Sequence, residues 1–139
     1  MNHLLPKLAL ALVASLLLHS TPAAAQVSLT KSKATRVRIT QGPELEMTKY
    51  DRAIIRWTSD NPGGSPEHFA VAHYGTDPKN LSQTAKSPMR LNPGHSSTVF
   101  RVIVDGLQPR TTYYYTVESM EANGKSDGVT SPVGKFTTQ

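Results

Sequence analysis

The sequence predicts an all-β protein: an antiparallel sandwich of about seven short strands, preceded by a removable export signal. Three observations carry this. Beyond the first 25 residues, no stretch repeats apolar residues at helical spacing. Short β-branched or aromatic runs recur instead, separated by turn residues such as Asn61-Pro62-Gly63-Gly64, Asp77-Pro78 and Asn92-Pro93-Gly94. The eight prolines from Pro43 to Pro132 fall between these runs or at their margins, as they must if the runs are hydrogen-bonded strands.

The elements follow in order. Residues 1–25 read as a signal peptide: a weakly basic start with Lys7, the apolar run Leu8–Leu18, a break at His19–Pro22, then Ala23-Ala24-Ala25. The apolar run is about half the roughly 20 residues that a membrane span requires. Cleavage after Ala25 would leave a chain bound for the periplasm or the exterior with no span. Residues 26–35 are polar and read as a flexible N-terminal tail. The domain is expected over residues 36–139. Its strands are expected at Arg36–Thr40, Arg52–Thr58, Phe69–Tyr74, Thr98–Val104, Thr112–Met120 and Val133–Thr138, with a short edge strand at Leu81–Ala85.

Alternation assigns the faces. Ala53, Ile55 and Trp57 form one side of the second run; Phe100, Val102 and Val104 match them in the Thr98–Val104 run, as do Tyr113, Tyr115 and Val117 further on. With Leu107 these ten residues are the expected core. Phe69–Tyr74 stays undecided, because Phe69, Val71 and His73 compete with Ala70, Ala72 and Tyr74 for the inside.

Composition excludes several functions. The chain has no cysteine, which rules out disulfide scaffolds, thiolate metal sites and a cysteine nucleophile. Its net charge is +5, and removal of residues 1–25 takes away only Lys7. That balance favours anionic partners but is too small, with too few aromatics, for nucleic-acid binding to be expected.

Gly106-Leu107-Gln108-Pro109-Arg110-Thr111-Thr112-Tyr113 resembles the signature of fibronectin type III domains, members of the immunoglobulin-like sandwiches. There Leu107, Pro109, Thr111 and Tyr113 would build the corner before the sixth strand, with the tyrosine hydroxyl bonded back to the corner backbone. Trp57 matches the buried tryptophan of that family. Within it, Val37–Pro43, Ile55–Thr58, Tyr74–Thr76 with Leu81, Leu107–Tyr115 and Phe136–Thr138 are similar, in order, to the N-terminal domain of purple acid phosphatases. The resemblance spans about residues 36–138. In those enzymes this domain carries no metal ligands, and a separate metallophosphatase domain supplies them. The resemblance therefore implies a non-catalytic binding or accessory module with no cofactor or metal. Two other roles stay open: an accessory subunit or orphaned fragment of a metal-dependent acid phosphatase, and a module binding carbohydrate or an anionic surface polymer.

The candidate sites are few. His68 and His73 lie five apart on one strand and so face opposite sides, which forbids joint chelation. They and His95 read as surface or partly buried histidines. No Gly-x-Ser-x-Gly elbow is present, and no carboxylate pair is visible in sequence. Asn80-Leu81-Ser82 is a glycosylation sequon. Glu121–Pro132 reads as a flexible Gly-containing loop without an Arg-Gly-Asp triplet.

One constellation stands out. If Val37 and Ile39 point inward, Arg36 and Arg38 point outward, together with Arg52 and Arg56 on the second run and Arg101 on the Thr98–Val104 run. These runs would share one sheet. The outward positions of the runs as drawn carry no acid, so an arginine face beside Ile54, Val99 and Ile103 is expected to attract an acidic protein face or an anionic polymer.

Overall fold

A computed structural model describes residues 37–61, 63–91 and 95–139. The export signal, the tail and Arg36 lie outside the described residues. Those described form strands β1 (Ile39–Thr48), β2 (Arg52–Asp60), β3 (Glu67–Gly75), β4 (Gln83–Lys86), β5 (Arg90–Leu91), β6 (Ser97–Asp105), β7 (Thr112–Glu121), β8 (Ser126–Thr130) and β9 (Gly134–Thr137).

The strands make two antiparallel sheets. The smaller has the order β1-β2-β6. The larger has the order β4-β3-β7-β8, with β5 also on β3 and β9 also on β7. This is the expected immunoglobulin-like, fibronectin-type sandwich. All ten expected core residues are buried, joined by Ala70, Ala72, Tyr74 and Phe136. Trp57 and Phe100, neighbours across β2 and β6, meet with ring centroids 5.4 Å apart.

Several details differ from the sequence reading. β1 does not end at Thr40 but runs on to Thr48, passing through Pro43 by a cis Gly42-Pro43 bond and three register shifts against β2. Bulges let a proline sit inside a strand because the local ladder is already broken. Gly42 is required there: its φ is +75°, and a Cβ would stand 2.8 Å from the Arg56 carbonyl oxygen. The undecided strand β3 resolves with Ala70, Ala72 and Tyr74 inward, in regular register with β7. Phe69 and Val71 are nevertheless buried on the other side, and the Lys86 ammonium sits 5.7 Å from the Phe69 ring centroid. β3 is hydrophobic on both faces, so period-2 reasoning had nothing to separate. The expected loop Glu121–Pro132 is instead a tight hairpin followed by β8, closed by Glu121 N–H donating to Lys125 O at 2.8 Å.

Both edges of the larger sheet are broken by the same device. At Ser87-Pro88, between β4 and β5, Ser87 N–H donates to Ala70 O, and Ser87 Oγ accepts from Ala70 N–H, each at 2.9 Å. At Ser131-Pro132, between β8 and β9, Ser131 N–H donates to Val117 O at 2.9 Å and Ser131 Oγ accepts from Val117 N–H at 3.0 Å. A serine hydroxyl thus stands in for a ladder group where the chain turns out of the edge, and the next residue has no N–H to offer.

The candidate interaction face

The outer surface of β1-β2-β6 collects four of the arginines that the alternation selects, Arg38, Arg52, Arg56 and Arg101. Cross-strand register sets Arg56 opposite both Glu44 of β1 and Arg101 of β6, Arg52 opposite Asp105, and Ile54 opposite Ile103. Arg38, just before β1, joins the same face.

The face is not an uncompensated positive ladder. Arg38 Nε donates to Asp60 at 3.0 Å, Arg56 Nη1 to Glu44 at 2.8 Å, and Arg101 Nε to Glu46 at 2.7 Å, while Arg52 Nε donates to Asp105. The Arg52 guanidinium is held above its ordinary range by the hydrogen bond and charge of Asp105, with a further contribution from Asp51. Sequence reasoning missed all four acids for one reason. The strands are longer than the apolar runs that marked them, so Asp60, Asp105, Glu44 and Glu46 continue the outward rows past the ends first drawn. These pairs are exposed and screened, so each contributes little to stability.

At the corner, Leu107 N–H donates to Asp51 O at 2.9 Å and Gln108 N–H to the Tyr113 hydroxyl at 2.9 Å. Thr111 Oγ1 donates to Pro109 O at 2.9 Å, and Thr111 N–H to Thr138 Oγ1 at 2.9 Å. Thr138 Oγ1 in turn donates to Gln108 O at 2.6 Å, which ties the segment after β9 to the corner. The Tyr113 ring stacks on Phe136 with centroids 5.7 Å apart.

The histidines part as strand geometry demands. His68 points inward and is fully buried, not a surface or partly buried group: Nε2 donates to Ser65 O at 2.8 Å and Nδ1 lies 3.0 Å from the Asp127 carboxylate. His73 points outward, 2.7 Å from Glu118, whose second oxygen accepts from Ser126 Oγ at 3.0 Å. Among the described residues, no hydroxyl is poised on either imidazole as a nucleophile would be, and Asp127 and Glu118 each have a structural partner. His95 is exposed, and its carbonyl accepts from Asn61 Nδ2. Among the described residues, no three His, Cys, Asp or Glu side chains are grouped to hold a metal ion. A shallow groove of about 440 Å³ between Val37–Ile39 and Val129–Pro132 is lined by apolar and hydroxyl side chains, with Arg38 as its charged member. Asn80 of the sequon is exposed in the turn after β3. No helix among the described residues is long and apolar enough to cross a membrane.

A family model described as the purple acid phosphatase N-terminal domain matches residues 22–138. No curated protein matches the sequence. Among solved structures, the sensor domain of the anti-sigma factor RsgI4 of Pseudobacteroides cellulosolvens is similar in two forms. The longer gives a TM-score of 0.51 at 17% identity, covering 73% of this chain and 88% of that one. The shorter gives 0.52 at 17% identity, covering 76% and 96%. At this identity the likeness concerns the fold alone. The fibronectin type III domain of human fibronectin type III domain containing protein 3 gives 0.47 at 15% identity, covering 78% and 91%.

Proposed function

Because the chain belongs to the family of purple acid phosphatase N-terminal domains, we propose that it is a non-catalytic β-sandwich module that works by binding, outside the cytoplasm. Residues 1–25 serve as its removable export signal and residues 26–35 as a tail. The observation that carries this reading is the family match over residues 22–138, nearly the whole chain. The side-chain chemistry is consistent with it, since Asp60, Glu44, Glu46 and Glu118 are engaged by arginine, histidine or hydroxyl partners. An acidic protein face or an anionic polymer is the weaker choice of partner. It would have to displace Asp60, Glu44, Glu46 and Asp105 from the arginines that hold them.

The test is hydrolysis of a chromogenic phosphate ester by the purified chain, with iron, zinc or manganese added in turn. The rate is expected to equal that of buffer with the same metal. Metal-dependent turnover that follows the protein through purification overturns the reading.

A further inference from the structure

Two sheets have four outer edges, and three of these are interrupted. Pro43 and three register shifts break β1, Ser87-Pro88 separates β4 from β5, and Ser131-Pro132 separates β8 from β9. The fourth edge is β6. It runs Ser97–Asp105 without a proline, in unbroken register with β2, and among the described residues 99–105 nothing pairs with its other side. A regular edge rich in valine and isoleucine is a template for a further strand, and this one has none of the protections built into the other three.

The outward residues of β6 select what pairs with it. Ile103 is 49% exposed, one of few large apolar side chains left open. Arg101 precedes it by two residues and Asp105 follows by two, so both share its face. In an antiparallel pair about a two-fold axis through Ile103, residue 101 of one strand opposes residue 105 of the other. Isoleucine then meets isoleucine at the axis, with an arginine–aspartate pair on either side. Moving the axis to Arg101 sets two guanidinium groups against each other, which destabilises a strand pair. A slip between the strands by an odd number of residues turns the buried row Phe100, Val102, Val104 against the outward one.

We propose that β6 pairs antiparallel with β6 of a second copy of this chain, centred on Ile103, joining the two smaller sheets into one of six strands. Each Arg101 would bridge from Glu46 of its own chain to Asp105 of the second copy, which is itself held by Arg52. The ladder spans only residues 101–105 of each copy, so the association is weak and concentration-dependent.

Sedimentation velocity of the purified chain from about 10 μM to about 1 mM, the range that weak interfaces occupy, reads the association directly. Arg101→Asp or Asp105→Arg alone is expected to raise the dimer Kd at least about tenfold by opposing like charges, and the double exchange is expected to bring it back below that of either single variant. The melting temperature of each variant reports folding separately. The native chain has no cysteine, so Ile103→Cys supplies a second readout. With oxidised glutathione added as the two-electron oxidant, it is expected to form a disulfide-linked dimer at least about tenfold faster than Val99→Cys, which the proposed axis holds away from its twin. Three outcomes overturn the proposal: a monomer throughout the range, a double exchange that dimerises no better than either single variant, or equal cross-linking at residues 99 and 103. The first would leave this edge to an extended peptide from another protein.

Discussion

Replacing Tyr113 with Phe removes one oxygen from the corner and nothing else. The ring stays buried against Phe136 and at an edge-on 6.2 Å from Tyr74, so packing is preserved. What goes is the acceptor for Gln108 N–H, a 2.9 Å bond that is part-buried. An orphaned donor costs about 1–3 kcal/mol, and partial access to water places this one at about 1–2 kcal/mol. For a domain of about 100 residues that lowers the melting temperature by about 5–10 °C. Trp57→Ala sets the scale, since a cavity left by a fully buried tryptophan costs about 3–5 kcal/mol. Tyr50→Phe, at a side chain 68% exposed, is the control and should melt like the parent. Thermal and urea unfolding followed by circular dichroism give all three. If Tyr113→Phe shifts the midpoint no more than Tyr50→Phe does, the corner bond is not what holds β7 to the turn, and the reasoning fails.

Gly134→Ala should destabilise by about 1–3 kcal/mol in urea, because its Cβ would stand 2.7 Å from Tyr115 Cζ and 2.9 Å from its hydroxyl, and a buried ring has little room to yield. An unchanged urea midpoint would show that the ring moves freely. Burial pushes the Tyr115 phenol above its ordinary value of 10.0, and burial likewise raises that of Tyr74. The unfolded chain then loses these protons first, so stability is intact below about pH 10 and falls as pH rises through and beyond that value. Urea midpoints from pH 8 to pH 11 should show this decline, and Tyr115→Phe should flatten it. An identical alkaline slope in that variant counts against the assignment.

The inward rows of β2, β6 and β7 were legible from alternation alone, because each strand has one apolar and one mixed face, and period 2 then has a single solution. The corner was legible because Leu107, Pro109, Thr111 and Tyr113 act within one short segment. The sequence also marks which arginines face outward. It does not say what they touch, since Arg101 and Glu46 lie 55 residues apart and meet only across β2. The same limit applied to Asp127, which reaches His68 from a strand that the sequence presents as loop, and to β3, apolar on both faces. Ser87 and Ser131 look like ordinary polar residues until the sheet places each beside a backbone N–H that lacks a ladder partner. Periodicity along a strand is a local property of the chain, fixed by the geometry of successive residues. Register, bulges and strand ends are settled between strands, where the growing ladder and the core it covers decide together which distant residues become neighbours.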